Sequence, residues 1–290
     1  CELALQPINA FKLDAAILFS DILTIPDSFG LGVEFVEKEG PVFNNPINSS
    51  TDISNLDHFD PESLDYVYKA VKNIKNSLPE EIPLIGFCGS PWTLAAYSIE
   101  GRSSKDFKKT LNFLVSNQED VHNLLTKYTD ACFLYLRRQV QSGADVIQIF
   151  DSWANLLTKE GLIEYSFNYI NALISALKLD PVTKNIPVIV FARNPKCNIE
   201  ELINTSADCI SLFWSMNDLN FELAKNKVAI QGNLDPKILL ESDEIIKRET
   251  YKILEKFEKY PGYIFNLGHG ITPDINPDKI KYLTNIVREY

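Results

Sequence analysis

Seven short runs rich in Ile, Val and Phe recur along the chain, at residues 15–22, 82–89, 145–151, 186–192, 209–214, 228–232 and 263–268. They are apolar on both faces, so as strands they must be covered on both sides, which is the condition of a parallel sheet wrapped by helices. The intervals between them supply the helices. Leu64, Val67, Val71, Ile74 and Leu78 follow the i, i+3, i+4 rule after Asp60-Pro61, a cap and first-turn pair. Leu111, Leu114 and Val115 continue this style behind a Ser103-Ser104 cap, and Leu124, Leu125 and Tyr128 lead a long helix ending near Gly143. Leu173 and Leu177 mark another, and Ile245, Leu254 and Phe257 a further one.

Strand then helix, repeated without a break in composition, favours a closed (β/α)8 TIM barrel, an α/β fold, over an open doubly wound sheet. The count reaches seven strands, and residues 3–11 read as the end of a helix feeding the first of them. The expectation is therefore one barrel domain over residues 1–290, N-terminally incomplete, its first strand lying upstream of Cys1. The alternative is a strand hidden in residues 31–57, where Val33, Phe35, Val36, Val42 and Phe43 could pair as a hairpin. Residues 31–58 form the longest stretch without helical period and are the expected loop excursion over the barrel mouth. No Pro/Gly/Ser linker long enough to separate domains interrupts the chain.

Twenty-eight Lys and Arg against 39 Asp and Glu give a net charge of −11, the wrong sign for a nucleic-acid or anionic-membrane partner. An acidic ligand would need a local positive pocket. Five scattered cysteines with no Cys-x-x-Cys pair argue against zinc or redox work and suggest reduced, mostly buried thiols in a cytoplasmic or organelle-matrix protein. No apolar stretch approaches the ~20 residues that cross a bilayer, and no secretory signal opens the chain. The only methionine is Met216, so the expected molecule is a processed or truncated product.

In such barrels the working groups stand at the C-terminal ends of strands. Asp21 ends the first run, where an apolar surrounding suits a carboxylate that binds N–H groups or a developing cation; a turn cap is its structural alternative. Ser90-Pro91 starts a helix that carries Tyr97, for which core packing is the simpler reading. His269, between two glycines after the seventh run, is the one histidine of three at a strand's C-terminal end; His58 in a loop and His122 in a helix read as solvated or structural. Ser152 has no His or third group nearby in sequence, so it is a weak nucleophile candidate, and no Gly-rich phosphate loop is present.

At these strand ends the chain resembles the uroporphyrinogen decarboxylase family. Phe19-Ser20-Asp21-Ile22, Gly86 to Leu94 with Tyr97 and Glu100-Gly101, Phe150-Asp151-Ser152-Trp153, Gln231 to Pro236, and Asn266-Leu267-Gly268-His269-Gly270 match in order and spacing across essentially the whole chain. The resemblance implies a single-domain barrel enzyme, a homodimer, that removes carbon dioxide from the four acetates of uroporphyrinogen in haem biosynthesis without metal or organic cofactor. It implies that Asp21 binds the pyrrole N–H groups, that Tyr97, Ser152 and His269 contact substrate carboxylates or shape the cleft, and that Phe19 and Phe87 form apolar walls. The family assigns proton donation to an arginine in an N-terminal Met-Arg-Gln-Ala-Gly-Arg-Tyr-like segment that these 290 residues do not contain, so the chain alone is expected to be nearly inactive. Phe213 stands where the family usually has aspartate. Among the remaining cations near strand ends, Arg102, Lys105 and Arg193 each fit a solvated surface charge as well as a substrate contact.

Two rivals stand beside this reading. A zinc-dependent, cobamide-linked methyltransferase of the same superfamily needs His and Cys ligands in the C-terminal half, and no cysteine follows Cys209. An inactive truncated relative would keep the barrel and lose the proton donor.

Overall fold

The computed structural model describes residues 2–37, 39–217 and 219–290. Cys1, one of the five thiols considered above, lies outside the described residues. Each of the seven apolar runs contains a strand: β1 (Ala16–Ile17), β2 (Leu84–Gly89), β3 (Val146–Asp151), β4 (Val188–Ala192), β5 (Cys209–Ser211), β6 (Ala229–Gln231) and β7 (Tyr263–Ile264). All pair in parallel and in chain order, and the sheet curls with β1 and β7 as its edges. This is the curled (β/α) sheet of a TIM-barrel-like fold.

Helices wrap its outside, most of them through one apolar stripe, while the helix Pro91–Glu100 is buried on nearly every side. They include α1 (Glu2–Phe11), α2 (Asp65–Ser77), α3 (Pro91–Glu100), α4 (Lys108–Ser116), α5 (Gln118–Gln141), α6 (Asn168–Leu179), α7 (Asp243–Phe257) and α8 (Pro277–Glu289). Val67, Val71 and Ile74 of α2 are buried, as their spacing predicts. Asp60 caps the turn ahead of α2 by accepting the Glu62 N–H at 3.0 Å. No helix among the described residues is long and apolar enough to cross a membrane.

Three details differ from the sequence reading. The segment after β1 does form an antiparallel hairpin, Val33–Val36 with Gly40–Phe43, but as a separate two-stranded sheet, so the main sheet keeps seven strands. The start of α4 is capped by Phe107 in a left-handed conformation (φ 47°), not by Ser103-Ser104; Ser104 Oγ only accepts the Phe107 N–H at 3.3 Å. Burial of the Phe107 ring 4.2 Å from the Trp153 ring holds that backbone in place. The outer strands are also far shorter than their apolar runs.

The shortening of β1 has a visible cause. After the Leu18 N–H, which still donates to the Ile85 carbonyl at 2.9 Å, the chain leaves β2, and the side-chain amide of Gln139 on α5 takes its place. It donates from Nε2 to the Phe87 carbonyl at 2.9 Å and accepts the Phe87 N–H on Oε1 at 3.0 Å. Gly86 permits this approach, since a Cβ there would stand 2.5 Å from Gln139 Oε1.

Candidate active site

Side-chain alternation sends every second strand residue to the inside of the curl. The register places Phe150, Phe191, Ser211, Gln231 and Ile264 at one level across β3 to β7. They line a cavity of ≈ 610 Å³ together with Ile17, Ile85, Gln148, Ser152, Asn266 and His269, among others. That size is ordinary for a small-molecule site, of order 300–1,000 Å³. Its wall is mixed by design of the strands. Edge-to-face contacts join Phe87 to Phe150 (5.7 Å), Phe150 to Phe191 (6.1 Å), and Phe191 to the His269 ring (6.4 Å). Opposite the phenylalanines lie uncharged polar groups, where Gln231 Nε2 donates to Ser211 Oγ at 3.0 Å.

The glycines around His269 set its position. At Gly268 a Cβ would fall 2.3 Å from the Trp214 nitrogen, so only glycine lets the loop after β7 cross the loop after β5. The His269 ring then lies exposed at the cavity edge, 5.9 Å from Phe213. Phe213 is thus buried beneath the imidazole, and hydrogen bonding in that corner falls to Asn233 instead, whose Nδ2 donates to the Phe213 carbonyl at 3.1 Å.

Asp21 sits beyond the end of β1, half-buried. Its Oδ1 accepts the Leu23 N–H at 2.7 Å, and Oδ2 has no hydrogen-bond partner among the described residues. Burial raises its pKa above the usual carboxylate value, with the Leu23 N–H opposing. The Asp21 charge reaches the Tyr97 phenol, whose own pKa is raised chiefly by burial. Tyr97 packs edge-on to Phe107 (5.6 Å) and Trp153 (5.7 Å). Ser152 and His269 therefore line the cavity itself and Phe87 packs against its Phe150, whereas Asp21 and Tyr97 are not among its lining residues; the two are linked to each other by the reach of the Asp21 charge. Phe19, two residues past Ile17, is 71% exposed and is not among the lining residues.

Sequence reasoning left out the polar inner wall and the role of Asp151. Gln148 and Gln231, polar residues at alternate positions of otherwise apolar strands, were the available signal. Asp151 is fully buried and accepts hydrogen bonds from Ser90 Oγ (3.0 Å), Thr93 Oγ1 (2.9 Å) and Ser166 Oγ (2.5 Å), which tie β3 to the start of α3 and to the turn Ile163–Phe167. Ser90 also caps α3 by accepting the Thr93 N–H, as expected.

The remaining histidines behave structurally. His122 on α5 has Nδ1 2.7 Å from the Tyr169 hydroxyl and stacks on Tyr165, while His58 is exposed in its loop. Among the described cysteines, Cys88, Cys132 and Cys209 are buried, and burial pushes the Cys197 and Cys209 thiols up to about 12, which keeps them protonated and unreactive. No cluster of three or more His, Cys, Asp or Glu side chains that could hold a metal occurs among the described residues.

Solved structures with this fold include a methyltransferase from Methanosarcina mazei, with a TM-score of 0.81 at 18% identity over 99% of this chain and 84% of that one. A B12-independent methionine synthase from Shewanella sp. W3-18-1 follows at a TM-score of 0.62 and 14% identity, over 99% and 86%. At such identities the likeness concerns the fold alone. Sequence relatives are nearer. The uroporphyrinogen decarboxylase of Ruthia magnifica subsp. Calyptogena magnifica is 44% identical over 293 residues, spanning 100% of this chain and 84% of the relative. That of Legionella pneumophila (strain Corby) is 43% identical over 291 residues, spanning 100% and 82%. The family model described as uroporphyrinogen decarboxylase (URO-D) matches residues 1–290, and the chain belongs to that family.

Proposed function

We propose that the chain acts as a uroporphyrinogen decarboxylase, converting the four acetates of uroporphyrinogen III to the methyl groups of coproporphyrinogen III in haem biosynthesis, with no metal or organic cofactor. A cytoplasmic homodimer is part of this reading. The observation that carries it is Asp21, a half-buried carboxylate with one oxygen unengaged, beside an aromatic-walled cavity.

Each decarboxylation needs an electron sink. The pyrrole ring accepts a proton, the electron pair of the bond to the carboxylate flows into the cationic ring as carbon dioxide leaves, and protonation of the exocyclic carbon with return of the ring proton gives the methyl group. One proton is consumed per acetate. Asp21 accepts the central pyrrole N–H groups and opposes the positive charge as it develops, in surroundings less screening than water. Tyr97, Ser152 and His269 hold peripheral carboxylates, and Phe19 and Phe87 flank the apolar faces of the macrocycle. Proton donation is assigned by family resemblance to an arginine of an N-terminal segment not present in these 290 residues.

The test is an assay with uroporphyrinogen, using the chain alone and the chain fused behind that segment from a relative, with coproporphyrinogen measured chromatographically. We expect turnover by the fused form and a loss of about a hundredfold or more in its Asp21→Asn variant. Unchanged turnover in the variant removes Asp21 from the mechanism, and no turnover by either form overturns the function.

A further inference from the structure

We infer that Arg193 is a carboxylate-binding residue of this cavity, gripping one peripheral carboxylate of a tetrapyrrole on the β4 side; the inference rests on the function proposed above. The register carries the first step. Phe150 and Phe191 are paired and both line the cavity, while the next pair, Asp151 and Ala192, faces outward toward the helices. One residue further, Ser152 lines the cavity, and Arg193 shares the inward parity of Phe191. Its backbone is still held in the ladder, the Arg193 N–H donating to the Asp151 carbonyl at 3.0 Å. The side chain therefore leaves β4 beside Ser152 at the cavity rim.

The second step is what the guanidinium touches. It lies over the Trp153 ring, 5.5 Å from the centroid, and makes no ion pair among the described residues. A guanidinium held against an aromatic ring and free of ion pairs keeps N–H groups to offer, which suits a two-point grip on a carboxylate. Arg193 and Asp21 act on the Tyr97 phenol in opposite senses, so that phenol lies within electrostatic reach of both an anion suited to the macrocycle's centre and a cation suited to its periphery. The other cations near the mouth lack this arrangement. Arg102 is turned to Glu39, 3.7 Å away, and Lys105 is exposed in the loop before α4. In a protein of net charge −11, a half-buried arginine without a carboxylate partner is suited to an anionic ligand.

The test measures binding of uroporphyrin, the oxidised octacarboxylate, to the 290-residue chain by quenching of tryptophan fluorescence. Arg193→Ala should weaken binding about tenfold in low salt, and the difference from wild type should shrink to within about twofold at 1 M NaCl. Arg193→Lys, which keeps the charge and loses the planar fork, should fall between the two. Equal binding by wild type and Arg193→Ala overturns the inference, as does a loss that salt leaves unchanged, because that would mark a packing role. Failure of the wild-type chain to bind uroporphyrin would instead overturn the tetrapyrrole reading and the inference with it.

Discussion

Two aspartates stand at strand ends in this region, Asp151 buried and Asp21 half-buried, and their partners separate their tasks. Asp151 is surrounded by three hydroxyl donors and keeps nothing for a ligand, whereas Asp21 has one backbone donor and an unengaged oxygen. Burial raises the pKa of both. For Asp21 the folded chain thus prefers the protonated carboxyl more than the unfolded chain does. The stabilisation this brings is fully present below the unfolded value near 3.8 and is lost as pH rises through the higher folded value. At pH 7 the ionised side chain carries its desolvation cost, which an amide would not. Asp21→Asn should accordingly leave the melting temperature at pH 7 equal to or above that of wild type, with the gap closing as pH falls toward 4. Calorimetry across that range checks it; a clearly less stable variant at pH 7 would show that the carboxylate serves the fold. In sequence the two residues look alike, since each ends an apolar run. What distinguishes them is supplied by hydroxyls 61, 58 and 15 residues from Asp151, and no local pattern reveals such partners.

Elements were legible where periodicity was strong and less so where one element lends a group to another. The seven strands and the helices α2, α5, α6 and α7 follow from their apolar spacing, because burial of one stripe or of two faces leaves its mark on the sequence. The early end of β1 left no such mark. It depends on Gln139, a polar residue on the buried side of α5 whose amide stands in for a strand, and on Gly86, whose missing side chain admits it. The start of α4 was misplaced for a similar reason, as an aromatic contact overrode the nearby serines. Replacing Gln139 with Leu keeps the bulk and strands the buried Phe87 N–H and carbonyl. The expected cost is about 3 kcal/mol in urea unfolding, because an unpaired buried backbone group forfeits its hydration without return. A cost below about 1 kcal/mol would mean that β1 or water can close the gap.

At the scale of the molecule, the curl determines where a large planar ligand can lie. Among the described residues β1 and β7 do not pair, and Ile17 and Ile264, 42% and 45% exposed, face each other's side of the cavity from these two edges. The wall between them runs through aromatic rings and uncharged amides, with Asp14 and His269 the only ionisable groups lining it among the described residues. Asp21 and Arg193 stand outside that lining, past the C-terminal ends of β1 and β4. A lining of aromatic rings interspersed with uncharged amides and hydroxyls fits a macrocycle whose faces are greasy and whose edge is anionic, and it should also take a smaller ligand of the same kind. The dye 1-anilino-8-naphthalenesulfonate should bind there, and uroporphyrin should displace it competitively. Ile264→Lys should reduce dye binding several-fold by placing a charge on the cavity wall, while Leu179→Lys should not, although Leu179 at the end of α6 is 85% exposed and a more accessible apolar side chain. Fluorescence titration of the three proteins decides the matter, since simultaneous binding of dye and porphyrin, or equal effects of the two lysines, would place the apolar site elsewhere than inside the curled sheet.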